Sequence, residues 1–229
     1  MENGVLMINI IYEDNHLLVV EKPCNLPCCE DESKDKDLLT LLKEDLKVRY
    51  NKPGNVYLGL VHRLDRPVGG IMVFAKTSKA ASRLSEQVRT HQLRKTYYAI
   101  VEGIPDKEGT LFDYLYKDTK TNRVTVNKDK GKPCELSYQL EGTIKDYSLV
   151  KIQLKTGRSH QIRVQFSTRN HALYGDQRYN SHAKKGQQIA LWAYELSFLH
   201  PITKEVLTFN CPPPNTYPWS SFKGGKSHA

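Results

Sequence analysis

Residues 58–75 read LGLVHRLDRPVGGIMVFA, in which a polar turn separates two apolar runs. Short apolar runs bounded by proline and glycine predict strands that are buried in a sheet. Pro67 favours an extended backbone at the residue before it, and the two glycines that follow permit positive φ. Asp65 therefore lies on a loop between rigid elements, which is a common position for a residue that carries function.

Strands outnumber helices along the rest of the chain, and the two do not alternate strictly. This order favours an α+β fold with a mainly antiparallel sheet over a Rossmann-type or TIM-barrel architecture. Residues 122–132 form a polar, basic connection or hairpin, and residues 220–229 are expected to fray. The periodicity predicts strands at 8–12, 17–21, 71–75, 95–102, 111–116, 136–141, 149–154, 189–199 and 206–209, and helices at 37–49, 77–90 and 159–166.

The composition of the 229 residues is ordinary for a globular protein, with 39% hydrophobic and 26% charged residues. That length supports one sizeable core, so we expect one domain over 1–229, with its core at about 9–211 and a tail at 212–229. No apolar run is long enough to cross a bilayer, and the first residues lack the features of a signal peptide. We therefore expect a cytoplasmic protein with no membrane partner.

Basic residues exceed acidic ones, 34 to 25, which gives a formal net charge of +9. The acids cluster at 30–37, and the bases dominate at 83–95 and 155–178. An uneven basic surface favours a polyanionic partner such as nucleic acid. The alternative is that the charge serves solubility alone.

The chain lacks the sequence motifs of several large enzyme classes. It contains no G-x-G-x-x-G, no Walker A loop, no H-E-x-x-H and no G-x-S-x-G. Nothing therefore indicates dinucleotide, nucleoside triphosphate, zinc protease or serine esterase chemistry. Five cysteines without a secretory context predict free thiols. Cys24, Cys28 and Cys29 lack the second ligand pair of a structural zinc site, and we expect no metal.

The turn at Asp65 is the densest polar segment of the chain. The Asp65 side chain is either a working carboxylate or a structural partner of Arg63 or Arg66 across the turn. From spacing alone the structural pairing is favoured, because ion pairs outnumber active sites.

Two further segments carry candidate residues. TGRSHQIR at 156–163 can begin a helix whose first N–H groups hold phosphate. Alternatively, Arg158 belongs to a solvated helix terminus and Arg163 is a half-buried, paired arginine. In the strand predicted at 95–102, Tyr97 and Tyr98 face opposite sides, so that either one of them lines a pocket or both simply pack.

Taken together, these segments resemble the RluA-type pseudouridine synthases, a family of enzymes that isomerise uridine in RNA. The resemblance extends from about residue 9 to 211, and the matching segments occur in the same order. They are IYEDNHLLVVEKP at 11–23, HRLDR at 62–66, KTYYA at 95–99, TGRSHQIR at 156–163, and a closing group of YGDQRY at 174–179, ALWA at 190–193 and FLHP at 198–201.

The resemblance implies roles for three residues. Asp65 would be the essential carboxylate, acting at the ribose and base of the target uridine. Tyr97 would pack against the base and help to move the C5 proton. Arg163 would pair with Asp65, and its positive charge would keep the carboxylate ionised.

The same resemblance implies the fold and the partner. The fold would be α+β, with a bifurcated and mainly antiparallel sheet flanked by helices. The partner would be ribosomal or transfer RNA, bound by a monomer that needs no cofactor or metal. The residues expected to contact RNA are His62, Arg63, Arg66, Arg158, His160 and Gln161.

The sequence departs from the family pattern at the active-site turn. Where the family usually has Thr-Ser-Gly, this chain has Val68-Gly69-Gly70, so two hydroxyls are lost. We expect this chain to lack the small S4-like RNA-binding domain of the family, because the family's opening segment already begins near Ile11. Substrate choice is therefore expected to rest on the catalytic domain.

Two other functions compete with this interpretation. A non-catalytic RNA-binding relative would fit the changed turn, but it has no need of Asp65, Tyr97 and Arg163 together. A nuclease could use Asp65 and His62. Such enzymes usually need metal-binding carboxylates, and no acidic cluster accompanies Asp65.

Overall fold

The computed structural model describes residues 8–222, which divide into two units. The first unit contains the chain up to Leu93 together with Leu196–Cys211. The second contains Arg94–Glu195 and the chain from Pro212 onwards. The expectation of one domain over 1–229 stays a prediction.

The first unit combines antiparallel strands with two helices. Its elements are β1 (Ile10–Glu13), β2 (Leu17–Lys22), α1 (Leu38–Arg49), β3 (Gly59–Leu60), β4 (Gly69–Ala75), α2 (Ser78–Arg89), the end of β10 (Leu191–Leu199) and β11 (Val206–Asn210). Strand β2 pairs with both β1 and β4, and β3 pairs with β4. Strand β11 pairs with β10.

Strands β2 and β4 form the centre of this unit because both are apolar along most of their length. Every residue of β4 is buried, and so are residues 17–20 of β2. Val19 and Val73 lie opposite each other in the two strands. A continuous apolar run of this kind needs cover on both faces, and α2 packs against β4.

Both helices of the first unit begin after a residue whose side chain caps them. The Asp37 carboxylate accepts the N–H of Thr40 at 3.0 Å. The Thr77 hydroxyl accepts the N–H of Ala80 at 3.2 Å. In each case a side-chain oxygen satisfies an N–H group that has no partner within the helix.

The second unit is an antiparallel sheet with one short helix against it. Its elements are β5 (Arg94–Glu102), β6 (Glu108–Asp118), β7 (Arg123–Val126), β8 (Lys132–Ile144), β9 (Tyr147–Leu154), α3 (Gln161–Ser167), the first part of β10 and a 3₁₀ helix (Trp219–Phe222). The strand order is β5-β9-β8-β6-β7. Helix α3 packs against β6 and β7.

A small apolar cluster joins α3 to these two strands. Its buried members are Leu115, Val124, Cys134 and Val164, and the half-buried Tyr179 packs against them. Removing this apolar surface from water holds the β6–β7 hairpin on the helix.

The predicted fold class is confirmed. Each strand and helix predicted from periodicity is present, with ends that differ by a few residues. Two short strands were missed. One is β3, the only strand within the apolar run 56–64, and the other is β7, which lies in the basic connection at 122–132.

The prediction of a frayed tail is wrong for residues 220–222. They belong to the 3₁₀ helix at Trp219–Phe222, which packs on β8. Trp219 is buried, and the large apolar area of its indole anchors the segment. The remainder of the predicted tail, 223–229, lies outside the described residues.

Candidate active site

Asp65 lies on a tight turn between β3 and β4. Its carbonyl oxygen accepts the N–H of Val68 at 2.9 Å, which closes the turn around Arg66 and Pro67. Gly70 then takes a φ of +117°, a conformation that residues with a β-carbon rarely adopt. The Asp65 side chain is half-buried. The turn therefore presents a carboxylate from a fixed backbone.

A buried lysine contacts this turn. Lys22, at the end of β2, is fully buried, and its Nζ donates to the carbonyl oxygens of Pro23 at 2.9 Å, Leu26 at 2.7 Å and Arg66 at 3.0 Å. Three acceptors match the three N–H groups of an ammonium. Burial lowers the pKa of Lys22 to about 8, while nearby anionic groups, Asp65 among them, act in the opposite direction.

Two other buried side chains hold the residues that lead to Asp65. The Cys28 thiol accepts the N–H of Leu64 at 3.3 Å and donates to its carbonyl oxygen at 3.2 Å. Burial raises the pKa of Cys28, which keeps the thiol protonated and able to donate. His62 Nε2 accepts the N–H of Val73 at 3.1 Å. The His62 ring is therefore largely buried, and its contact with RNA stays a prediction.

The two arginines beside Asp65 differ in their surroundings. Arg63 is exposed and presents its charge to solvent. Arg66 pairs with Asp35 and lies 3.9 Å from the carboxylate of Asp31, both in the acidic segment at 30–37. Sequence reasoning did not connect that segment with the turn. Arg63 is therefore better placed than Arg66 to meet a phosphate.

Tyr97 and Tyr98 occupy adjacent positions of β5 and face opposite sides of the sheet, as predicted. Tyr98 packs against Tyr194, with ring centroids 4.8 Å apart, and burial raises its pKa. Tyr97 is buried and lies opposite Ile152 of β9. It shares its face of the sheet with Tyr138, whose ring contacts Phe166 of α3. Tyr97 thus belongs to the helix-covered face of the second unit.

Arg163, on α3, forms a buried ion pair with Asp176. Its Nε donates to Oδ2 and its Nη2 to Oδ1, both at 2.8 Å. A two-point contact of this kind fixes the plane of the guanidinium. The sequence analysis predicted a paired arginine and, from the resemblance, named Asp65 as its partner, but it did not predict the pairing with Asp176. The available signal was the acid within YGDQRY at 174–179.

Gln161 is buried and organises the turn that leads into α3. Its Oε1 accepts from the Thr156 hydroxyl at 2.9 Å and from the N–H of Arg158 at 3.1 Å. Its Nε2 donates to the Glu135 carbonyl at 3.1 Å and to Gln165 Oε1 at 3.0 Å. The amide thus makes four internal bonds, and its contact with RNA stays a prediction.

Arg158 and His160 lie at the start of α3. Arg158 is exposed, and its Nε donates to the Pro133 carbonyl at 3.2 Å. His160 takes a φ of +51°, which is uncommon for a residue other than glycine. Its Nδ1 lies 2.7 Å from the hydroxyl of Tyr179. Arg158 is thus open to a phosphate, whereas one nitrogen of His160 is already used.

None of the five cysteines, all of which lie within the described residues, forms a disulfide. Within residues 8–222, no group of three His, Cys, Asp or Glu side chains is arranged to hold a metal ion. Among the helices in that range, none combines the length and apolar character needed to cross a membrane.

The fold and the site residues together agree with a known family. A family model described as RNA pseudouridylate synthase matches residues 16–168. The chain belongs to this family. Ribosomal large subunit pseudouridine synthase D of Zymomonas mobilis is 32% identical over 220 residues, which cover 90% of this chain and 69% of that protein. An uncharacterized RNA pseudouridine synthase of Bacillus subtilis, YhcT, is 32% identical over 218 residues, with the same coverage of 90% and 69%.

Solved structures show the same fold. Human RNA pseudouridylate synthase domain containing 4 superposes with a TM-score of 0.76 at 22% identity, covering 90% of this chain and 88% of that one. Human RNA pseudouridylate synthase domain containing 1 superposes with a TM-score of 0.74 at 23% identity, covering 94% of this chain and 88% of that one.

The predicted family and enzyme class are confirmed. The protein is an RNA pseudouridine synthase, an isomerase that converts uridine in RNA to pseudouridine. Asp65 lies in the first unit, and Tyr97 and Arg163 lie in the second. The pairing of Arg163 with Asp65 stays a prediction.

Proposed function

We propose that this pseudouridine synthase acts on ribosomal RNA and that Asp65 is its catalytic carboxylate. The observation that supports this role is the turn at Asp65. The backbone carbonyl of Arg66 is hydrogen-bonded to Lys22, and the backbone N–H of Leu64 is hydrogen-bonded to Cys28. The proposed substrate follows from relatives that are named ribosomal large subunit pseudouridine synthases. Transfer RNA is the alternative outcome of the experiment below.

The reaction breaks the N1–C1′ bond of uridine, turns the uracil and joins C5 to C1′. The C5 proton leaves and N1 gains a proton, so the product is an isomer of the substrate. Asp65 would act either by attack on C1′ or by removal of the ribose 2′ proton. Both routes require an ionised carboxylate, a positioned base and exclusion of water.

Two residues of the second unit complete the proposed chemistry. Tyr97 would pack on the uracil and help to move the C5 proton, because it is the buried member of the Tyr97–Tyr98 pair. Arg163 would favour the ionised form of Asp65 through its positive charge. Its two bonds to Asp176 would hold the guanidinium in one orientation for this purpose.

The target uridine has to leave its stack to reach a carboxylate that is fixed on a turn. Unstacking costs a few kcal/mol and is least costly in loops and bulges. We assign backbone contacts with the RNA to the exposed Arg63 and Arg158, with smaller contributions from Arg66 and His160. The protein would work in the cytoplasm as a monomer, without a cofactor or metal.

The experiment measures tritium release from RNA that carries 5-tritiated uridine. The wild-type protein should release tritium, and Asp65→Asn should release none while it still binds RNA and unfolds at the wild-type temperature. Asp129→Asn, which removes an exposed carboxylate, is the matched control. Normal release by Asp65→Asn would refute the role of Asp65.

Carbodiimide mapping identifies the substrate. Total RNA from cells with and without the gene should differ at a uridine in large-subunit ribosomal RNA. A difference confined to transfer RNA would reject the ribosomal assignment and leave the enzyme class intact.

A further inference from the structure

Tyr179 is a half-buried tyrosine that contacts several parts of the second unit. Its hydroxyl oxygen accepts the N–H of Val124 in β7 at 2.9 Å and lies 2.7 Å from Nδ1 of His160. The phenol donates its one proton to this nitrogen in the tautomer of His160 whose Nδ1 carries no hydrogen, and accepts from it in the other. The Tyr179 ring lies beneath the guanidinium of Arg163, 5.2 Å from its central carbon.

Strands β6 and β7 form a hairpin whose exposed end is basic. The strands pair over residues 115–118 and 123–126, and we call residues 115–126 the basic hairpin. Lys117, Lys120 and Arg123 are all exposed on it. Cations on an exposed hairpin are suited to RNA phosphates, which contribute much of the affinity of RNA-binding proteins.

Two adjacent residues hold the backbone of the basic hairpin. Arg178 Nη1 donates to the carbonyl oxygens of Asn122 at 2.6 Å and Thr121 at 3.4 Å, at the hairpin turn. The Tyr179 hydroxyl accepts from the N–H of Val124, the second residue of β7. These bonds use main-chain groups of the hairpin, and the side chain of Arg123 adds a cation–π contact with the Tyr179 ring, 5.8 Å from its centroid.

The segment 176–179, which contains Arg178 and Tyr179, also holds Arg163 in place. Asp176 Oδ1 accepts from the N–H groups of Arg178 at 3.0 Å and Tyr179 at 3.3 Å, as well as from Arg163 at 2.8 Å. A shift of residues 178–179 would therefore move the carboxylate that orients the guanidinium. The Tyr179 ring adds a cation–π contact to the same group.

We propose that Tyr179 is a positioning residue that couples RNA binding at the basic hairpin to the orientation of Arg163. This inference rests on the proposed function of Arg163 and adds a mechanical link to it. RNA held by the hairpin fixes β7, and β7 fixes the Tyr179 hydroxyl. The ring and Asp176 then fix the guanidinium. An RNA too short to reach the hairpin should react slowly even at saturation.

The first measurement is the single-turnover rate constant at saturating RNA. Tyr179→Phe deletes the hydroxyl but keeps the ring against Arg163, so this rate constant should fall by about tenfold, as expected when hydrogen bonds that matter in the transition state are lost. RNA affinity should change by less than about threefold, since the hairpin charges remain. Tyr57→Phe, at an exposed position outside the hairpin, is the matched control and should leave both quantities unchanged.

The second measurement removes a charge from the hairpin. Lys120→Gln should weaken RNA binding and reduce the slope of log affinity against log salt by about one, as for one phosphate contact. In the wild-type background it should also lower the saturating rate constant, because the hairpin is less firmly held by RNA.

The double variant tests the link itself. In the Tyr179→Phe background, Lys120→Gln should still weaken RNA binding but should no longer lower the saturating rate constant. Independent effects of the two changes on this rate constant, or a wild-type rate for Tyr179→Phe alone, would overturn the proposal. A residue that only stabilises the fold would give independent effects.

Two further variants keep the result decisive. If Tyr179→Phe unfolds at the assay temperature, Arg178→Met takes its place, since it removes the bonds to Thr121 and Asn122 but keeps the main chain at Asp176. Asp65→Asn is assayed on the same RNA. Turnover by Asp65→Asn would reject the proposed role of Asp65. The double-mutant cycle of Lys120→Gln and Tyr179→Phe, measured with Asp65 intact, would still show whether the hairpin and Tyr179 are coupled.

Discussion

The Nζ of Lys22 donates a hydrogen bond of 3.0 Å to the carbonyl oxygen of Arg66, which lies 44 residues further along the chain. Arg66 directly follows Asp65, so this bond fixes the backbone on one side of the carboxylate. Cys28 fixes the other side through its bonds to Leu64. Both supporting side chains come from the chain at and just after β2.

Replacing Lys22 should loosen this turn. Lys22→Met leaves three carbonyl oxygens without the donor that bonds them, and we expect the free energy of unfolding to fall by about 2–4 kcal/mol. Single-turnover activity should fall with it, while RNA binding at low salt is largely kept. Urea unfolding and tritium release measure the two effects. Lys79→Met, at an exposed position of α2, is the control. If Lys22→Met lost as little stability and activity as Lys79→Met, the supporting role of Lys22 would be contradicted.

The lowered pKa of Lys22 predicts a dependence on pH. The pKa is about 8 in the folded protein against 10.5 for an ordinary lysine. Between these values the unfolded chain binds more protons at this site than the folded protein does. The contribution of Lys22 to the free energy of unfolding therefore rises with pH across this window.

Unfolding measured at several pH values tests that sign. The difference in unfolding free energy between wild type and Lys22→Met should grow by up to about 3 kcal/mol from pH 8 to 10.5. Turnover should fall over the same range, because a neutral amine has only two N–H groups for three carbonyl oxygens. A stability difference that stays flat or shrinks as pH rises would be inconsistent with the lowered pKa.

Breaking the Arg163–Asp176 pair should be strongly destabilising. Asp176→Asn removes the negative charge from the two-point contact with the buried Arg163 guanidinium, and we expect a loss of about 3–5 kcal/mol. Asp129→Asn, at an exposed position, should have almost no effect on the unfolding free energy.

A double replacement separates stability from chemistry at this pair. Arg163→Met combined with Asp176→Leu removes both charges, so much of the lost stability should return. Activity should stay absent, because the proposed role of Arg163 needs its positive charge. Recovery of turnover in the double variant would show that the pair is only structural.

The two arginines beside Asp65 should differ in RNA binding. Arg63→Gln should weaken RNA binding and reduce the salt slope by about one, because this exposed side chain is placed to meet a phosphate. Arg66→Gln should have a smaller effect, since Arg66 shares its charge with Asp35 and Asp31. Filter binding over a range of salt concentrations compares them, and equal slopes for the two variants would reject the distinction.

Most of the fold could be predicted from local sequence patterns. The apolar runs at β2 and β4 and the caps at Asp37 and Thr77 depend on neighbours within a few residues, and the predicted elements formed there. Strand β3 was missed because pairing over two residues leaves no periodicity to detect. The order at 220–222 was missed because it depends on the burial of Trp219, which sequence position alone does not reveal.

By itself, the sequence determined the fold class through the order and length of its apolar runs, and it determined the family and the candidate carboxylate through the resemblance of its ordered motifs to known enzymes. Only the tertiary structure assigned partners: Asp176 to Arg163, Lys22 to the carbonyl of Arg66, and internal positions to His62 and Gln161. The physical reason is that a hydrogen bond or ion pair acts over about 3 Å of space, whatever the separation along the chain. Whether a polar side chain meets RNA or supports the protein interior is therefore settled only when the chain has folded.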